Sequence, residues 1–175
     1  MSTQNGGTSG FAYLKRELAM RISAPAREFT FWMYLFSGVL VLGGFGVWYE
    51  FFPYVLSLNG SSAAGVYSAL LTFFPALAGP AALQMVFTDV EKPLKAFAIG
   101  YCVLFLGLFT LLTLGKPEKT WLSFLIVGIA CLTAIVMWWI TNGHDPAFRD
   151  NVDDKAPLGG DTQVTPKGSL DGFEV

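Results

Sequence analysis

The run Phe29–Tyr49, FTFWMYLFSGVLVLGGFGVWY, holds 21 residues without a charge and is bounded by Glu28 and Glu50. A helix needs about 20 apolar residues to cross a hydrocarbon core of roughly 30 Å. The run reads as a membrane span, and the rest of the chain agrees. Of 175 residues, 53% are apolar and 14% charged, where a soluble domain usually carries about a quarter charged residues. The charges are also segregated. Eight fall between Phe29 and Gly143, and the other sixteen lie in the sixty residues at the two ends.

Working outward, Phe51–Thr88 is uncharged for 38 residues, too long for one helix. Pro53 and the turn-forming Asn59-Gly-Ser-Ser62 predict a loop there, with a second span from Ala64 to Thr88. Asp89–Lys95 is a polar connection to a third span, Ala96–Gly115. Lys116-Pro-Glu-Lys119 turns the chain into a fourth, Thr120–Thr141. The expected fold is an all-α integral membrane protein with four transmembrane helices. A polar segment, 1–28, precedes the bundle at 29–143, and an acidic extended tail follows at 144–175.

Lysine and arginine placement sets the orientation. Nine of eleven bases (Lys15, Arg16, Arg21, Arg27, Lys92, Lys95, Arg149, Lys155 and Lys167) fall on one side, against Lys116 and Lys119 on the other. Both termini are expected on the cytoplasmic, matrix or stromal side of an inner or energy-transducing membrane. Trp32, Trp48, Trp121, Trp138 and Trp139 fall near span ends, where indoles prefer the headgroup region. The polar, Gly-rich first ten residues do not resemble a signal peptide.

In the N-terminal segment, Phe11, Leu14, Leu18 and Ile22 share a helical face beside Lys15 and Arg16. That pattern predicts a short amphipathic helix on the cytoplasmic leaflet, ended by Pro25. It serves either as a lead-in anchoring span one or as a docking surface. From Asp145 onward, seven acids and three bases sit among glycines and prolines, a composition that does not fold alone. Phe173-Glu-Val175 fits a carboxyl terminus captured by strand addition, and Asn59-Gly-Ser61 fits a glycosylation acceptor. Both are short enough to arise by chance.

Several chemistries lack their residues. No predicted span has a charge in its middle, where ion paths and proton relays keep one. The single histidine, His144, rules out bis-histidine haem ligation within one chain. Cys102 and Cys131 form no C-x-x-C pair and read as packing residues. No Gly-rich phosphate loop or paired-acid motif occurs. With a net charge of -2 and no basic stripe, nucleic acid is not an expected partner. No enzyme activity, metal or cofactor is expected. Whether a lipid, quinone or pigment rests on the apolar surface of spans three and four stays open.

Span two carries the most information. Pro75 and Pro80, with Gly79 before the second, predict a kink or local unwinding. One reading is a discontinuous helix around a site or pore, with Thr72, Pro75, Gly79, Pro80 and Gln84 as the break and its lining. The other is a packing kink accommodated by neighbouring helices. Gly38, Gly43 and Gly44 of span one and Ala78 and Ala82 of span two are expected to form a close-packed seam, since small residues let membrane helices approach. By elimination the chain reads as a non-catalytic accessory or assembly subunit of a larger membrane complex. Its partners would be the lipid bilayer and other membrane subunits. The alternative is a homo-oligomeric channel, pore or sensor built from copies of itself around span two.

Overall fold

A computed structural model describes residues 9–58, 60–114 and 120–150. The acceptor Asn59, the turn at Lys116–Lys119, the first eight residues and the tail from Asn151, with its carboxyl-terminal motif, lie outside the described residues. Within them every regular element is helical. The order is α1 (Gly10–Ser23), a 3-10 turn (Pro25–Arg27), α2 (Phe29–Met33) continuing as a π-helix (Tyr34–Gly43), α3 (Phe45–Val55), α4 (Ala63–Phe87), α5 (Lys92–Leu114), α6 (Trp121–Asn142) and a final 3-10 turn (Pro146–Phe148). Three helices, α4, α5 and α6, are long and apolar enough to cross a membrane. Their 25, 23 and 22 residues correspond to about 33–38 Å of helix.

α4 is the spine. It begins where extended Ser62 accepts the Gly65 N–H on its hydroxyl at 3.0 Å, a side-chain N-cap. α5 and α6 pack on two of its faces and touch each other little. One core cluster joins Tyr67, Phe74 and Ala78 of α4 to Phe105, Val127 and Ala134. A second joins Ala81, Ala82 and Met85 to Leu94, Ala98, Met137 and Ile140. Phe74 and Ala82 are fully buried. Ala78 and Ala82 thus form a seam with α5 and α6, rather than with the first span as expected.

Of the two readings of Pro75 and Pro80, the discontinuous helix is the one the structure does not show. α4 continues as one helix through Pro75 and Pro80. Two side chains of α6 reach its backbone on either side of the pair. The Cys131 thiol donates to the Leu70 carbonyl at 3.5 Å, and the Thr141 hydroxyl donates to the Ala81 carbonyl at 3.0 Å. Neither carbonyl is one that the prolines leave without a donor, those of Leu71 and Ala76, so these bonds tie α6 to α4 and it is the packing of neighbouring helices that accommodates the prolines.

The break falls instead in the stretch expected as the first span. The stretch Phe29–Gly43 and the helix Phe45–Val55 meet at an angle of 64° at Gly44. The helix also runs on past Tyr49 and contains Pro53, which was expected in a loop. Pro53 sits in the last turn, where it leaves the Tyr49 carbonyl without its usual donor, and the helix ends two residues later at Val55. Paired glycines and π-wound turns are recognised causes of kinks, and both are present here. A Cβ at Gly44 would collide with the Leu40 carbonyl oxygen. That oxygen accepts a 2.7 Å hydrogen bond from the Trp48 indole, which closes the broken turn.

α1 forms as the sequence pattern predicts. It docks across the ends of α5 and α6, rather than serving only as a lead-in to span one. Leu14 and Leu18 pack on the second core cluster, while Phe11 and Ile22 remain exposed.

Candidate functional site

Polar side chains gather in two places. The first is at the end of the bundle that carries α1. Arg21 is 8% exposed. Its guanidinium meets the Glu17 carboxylate at 2.9 Å and the Ile140 carbonyl at 3.4 Å, so a cation stands over the last turn of α6. Gly143 lies so close beneath that a Cβ there would collide with the Arg21 carbonyl oxygen. Trp139 donates its indole N–H to the Ile22 carbonyl at 3.0 Å.

Residues 144–150, read from sequence as the start of an extended tail, fold back onto this cluster. Arg149 donates to the carbonyls of Gly143 (2.8 Å) and Ala24 (3.3 Å) and to Glu28 Oε1 (3.2 Å). The Asp150 carboxylate accepts the backbone N–H groups of Phe29 and Thr30 and so caps α2. These bonds, Thr30 foremost, hold its carboxyl below the usual range. Around them Phe31 is enclosed by Trp138, Trp139 and Phe148, with ring centroids 4.9–6.1 Å away. His144 Nδ1 lies 3.5 Å from Glu17. Burial, with Arg21 and Arg149 nearby, pushes the imidazole's pKa below its ordinary value despite the opposing pull of Glu17. The cluster fastens the start of α2 to the end of α6.

The second place is a groove of about 440 Å³ between α3 and α4. Its charged group is Glu50, half-buried, and its polar lining includes Ser68 and Thr72. The carboxylate lies against Gly65, where a Cβ would collide with it. The Thr72 hydroxyl is turned to the Ser68 carbonyl at 2.9 Å.

The residues predicted to line a site therefore do not share one chamber. Thr72 lies in the Glu50 groove. Pro75 and Gly79 line a separate apolar groove of about 360 Å³ against α5, next to Tyr101, Phe105 and Leu83. There the Tyr101 hydroxyl is engaged, donating to the Thr133 carbonyl at 3.1 Å. Pro80 and the Gln84 side chain are exposed. In the expected glycine seam, Gly43 approaches Phe73 and Gly44 is buried at the break, but Gly38 has no atom within 4 Å of a Cβ built on it.

Of the clasp, the Glu17–Arg21 pair at i, i+4 was legible in sequence. The bonds from Arg149 and Asp150 to Ala24 and Glu28–Thr30 span more than a hundred residues and left no local signal. Among the described residues no group of three or more His, Cys, Asp or Glu converges as a metal site would. Compared with known proteins, the chain matches no family model, no curated protein and no solved structure. What fold and site define is a class: an all-helical chain with apolar helices of membrane-crossing length.

Proposed function

We propose that the chain is a four-span, non-catalytic subunit that packs into a larger assembly in an inner or energy-transducing membrane. The bent pair Phe29–Gly43 and Phe45–Val55 counts as the first span, with α4, α5 and α6 as the others. α1 then lies in the cytoplasmic interface. Exposed Phe11 and Ile22 support this, since they flank the exposed Lys15 and Arg16. Both termini share that side, following the bias of the bases.

The observation that carries the reading is α3. None of its residues is buried, yet it holds out Phe45, Trp48, Tyr49, Phe51, Phe52 and Tyr54. Its tilt away from the preceding helix leaves an aromatic ridge beside a polar groove. Such a ridge suits packing against another membrane subunit. The clasp supports it by holding the opposite end of the first span fixed. Native mass in mild detergent, with identification of co-purifying chains, tests the proposal. A fixed stoichiometry with different subunits is expected. A symmetric assembly of this chain alone, conducting ions in liposomes and silenced by Gln84→Leu, would replace it with the pore reading.

A further inference from the structure

Glu50 is the lone charge in the sixty residues between Glu28 and Asp89. It sits at the mouth of the α3–α4 groove, and among the described residues it makes no ion pair and no side-chain hydrogen bond. The chain's own described bases belong to α1, the turn after it, the start of α5 and the segment after α6. These gather at the other end of α4, away from this carboxylate, and the two bases expected on its side, Lys116 and Lys119, lie outside the described residues. Small residues make up much of the groove's walls, Gly43 and Gly46 on one side and Gly65, Ser68, Ala69 and Ala76 on the other, with Tyr49 and Phe73 as the large side chains among them. From Gly65 to Ala76 the α4 wall runs about 16 Å, three turns of helix.

We propose that this groove receives a transmembrane helix of another subunit, and that the helix carries a lysine or arginine near the membrane surface that pairs with Glu50. The proposal rests on the accessory-subunit reading and names the chemistry of its partner. Small residues allow helix backbones to approach where burial in lipid gives no hydrophobic drive. A carboxylate at the lipid boundary selects among helices by what faces it. A cation satisfies it, whereas an uncharged helix leaves it unpaired and an acidic one repels it. The groove thus combines a general packing surface with one discriminating charge.

The test uses the full chain in phosphatidylcholine vesicles with synthetic Leu/Ala transmembrane peptides bearing one Lys, Gln or Glu near one end. Association is read by energy transfer between labels. The Lys peptide is expected to bind at least tenfold more tightly than the other two, and Glu50→Gln is expected to erase that preference. Ala69→Leu, which fills the groove and leaves the charge, is expected to weaken all three peptides by a similar factor. Equal binding of the three peptides overturns the proposal, as does a Lys preference that survives Glu50→Gln. Self-association of labelled chains that Glu50→Gln abolishes would also overturn it, making the occupant a second copy. If peptides do not discriminate but a stoichiometric complex is still recovered from membranes, the groove assignment fails and the accessory reading stands.

Discussion

α4 and the stretch Phe29–Val55, the expected first span, answer their glycines and prolines in opposite ways. α4 contains two prolines and a glycine in its middle and remains one helix of 25 residues. The first span has no proline near its break and still turns by 64° at Gly44. The difference lies in what surrounds each backbone. α4 is packed by α5 and α6, and two α6 side chains bond its carbonyls on either side of the prolines. The first span buries Phe31, Leu35 and Val39 along its first half and none of α3. With little packed against it, its glycine-rich backbone follows its local preferences. Tertiary contact decides helix continuity here more than the breaker residues do.

The comparison can be broken at its strongest point by truncating one aromatic on each side. Phe74→Ala empties a fully buried site in α4 and is expected to cost roughly 3–5 kcal/mol. Phe45→Ala, at 63% exposure on α3, is expected to stay within about 0.5 kcal/mol. Unfolding in mixed micelles measures both, and equal costs would remove the distinction between the two regions.

Next in size is the break itself. Gly44→Ala forces a methyl against the Leu40 carbonyl and is expected to destabilise by roughly 1–3 kcal/mol. Gly38→Ala, with open space around it, is expected to stabilise by up to about 1 kcal/mol. The same unfolding assay separates them by sign.

Smaller again is the support of α4 by α6. Thr141→Val removes the bond to the Ala81 carbonyl, at an expected cost of about 1 kcal/mol. Pro80→Ala, exposed on α4, restores a backbone donor and is expected to raise stability. A loss on Pro80→Ala would mean that the proline is needed rather than tolerated.

The smallest effect is in pH. The His144 pKa is lowered in the folded chain, so the unfolded chain binds its proton more readily. The stability this contributes is complete above the unfolded value of about pH 6.5, declines as pH drops below it, and is gone once pH has fallen through the lower folded value. Docking of α1, followed by fluorescence of Trp139, is expected to weaken over that range, and His144→Gln is expected to flatten the response.

Much of the architecture could be read from composition. The positions of α4, α5 and α6 follow from where charges interrupt the apolar runs, and each predicted start and end lies within four residues of the helix observed. The face of α1 was visible in part: Leu14 and Leu18 pack inward, while Phe11 and Ile22, read on the same face, stay exposed. What could not be read was the use of small residues. Gly44 marks a bend and Ala78 a buried seam, yet both looked alike as packing positions, because period and composition do not say which neighbour arrives. The clasp was hidden for the same reason: Asp150 and Thr30 are 120 residues apart in the chain and meet only through the tertiary fold.

Backbone chemical shifts of the labelled chain in lipid bilayers, measured by solid-state NMR, test the central contrast most directly. Continuous helical shifts are expected from Ala63 to Phe87, through both prolines, with a departure at Gly44, whose ψ is near 4°. Helical shifts through Gly44 together with an interruption between Pro75 and Pro80 would contradict the account.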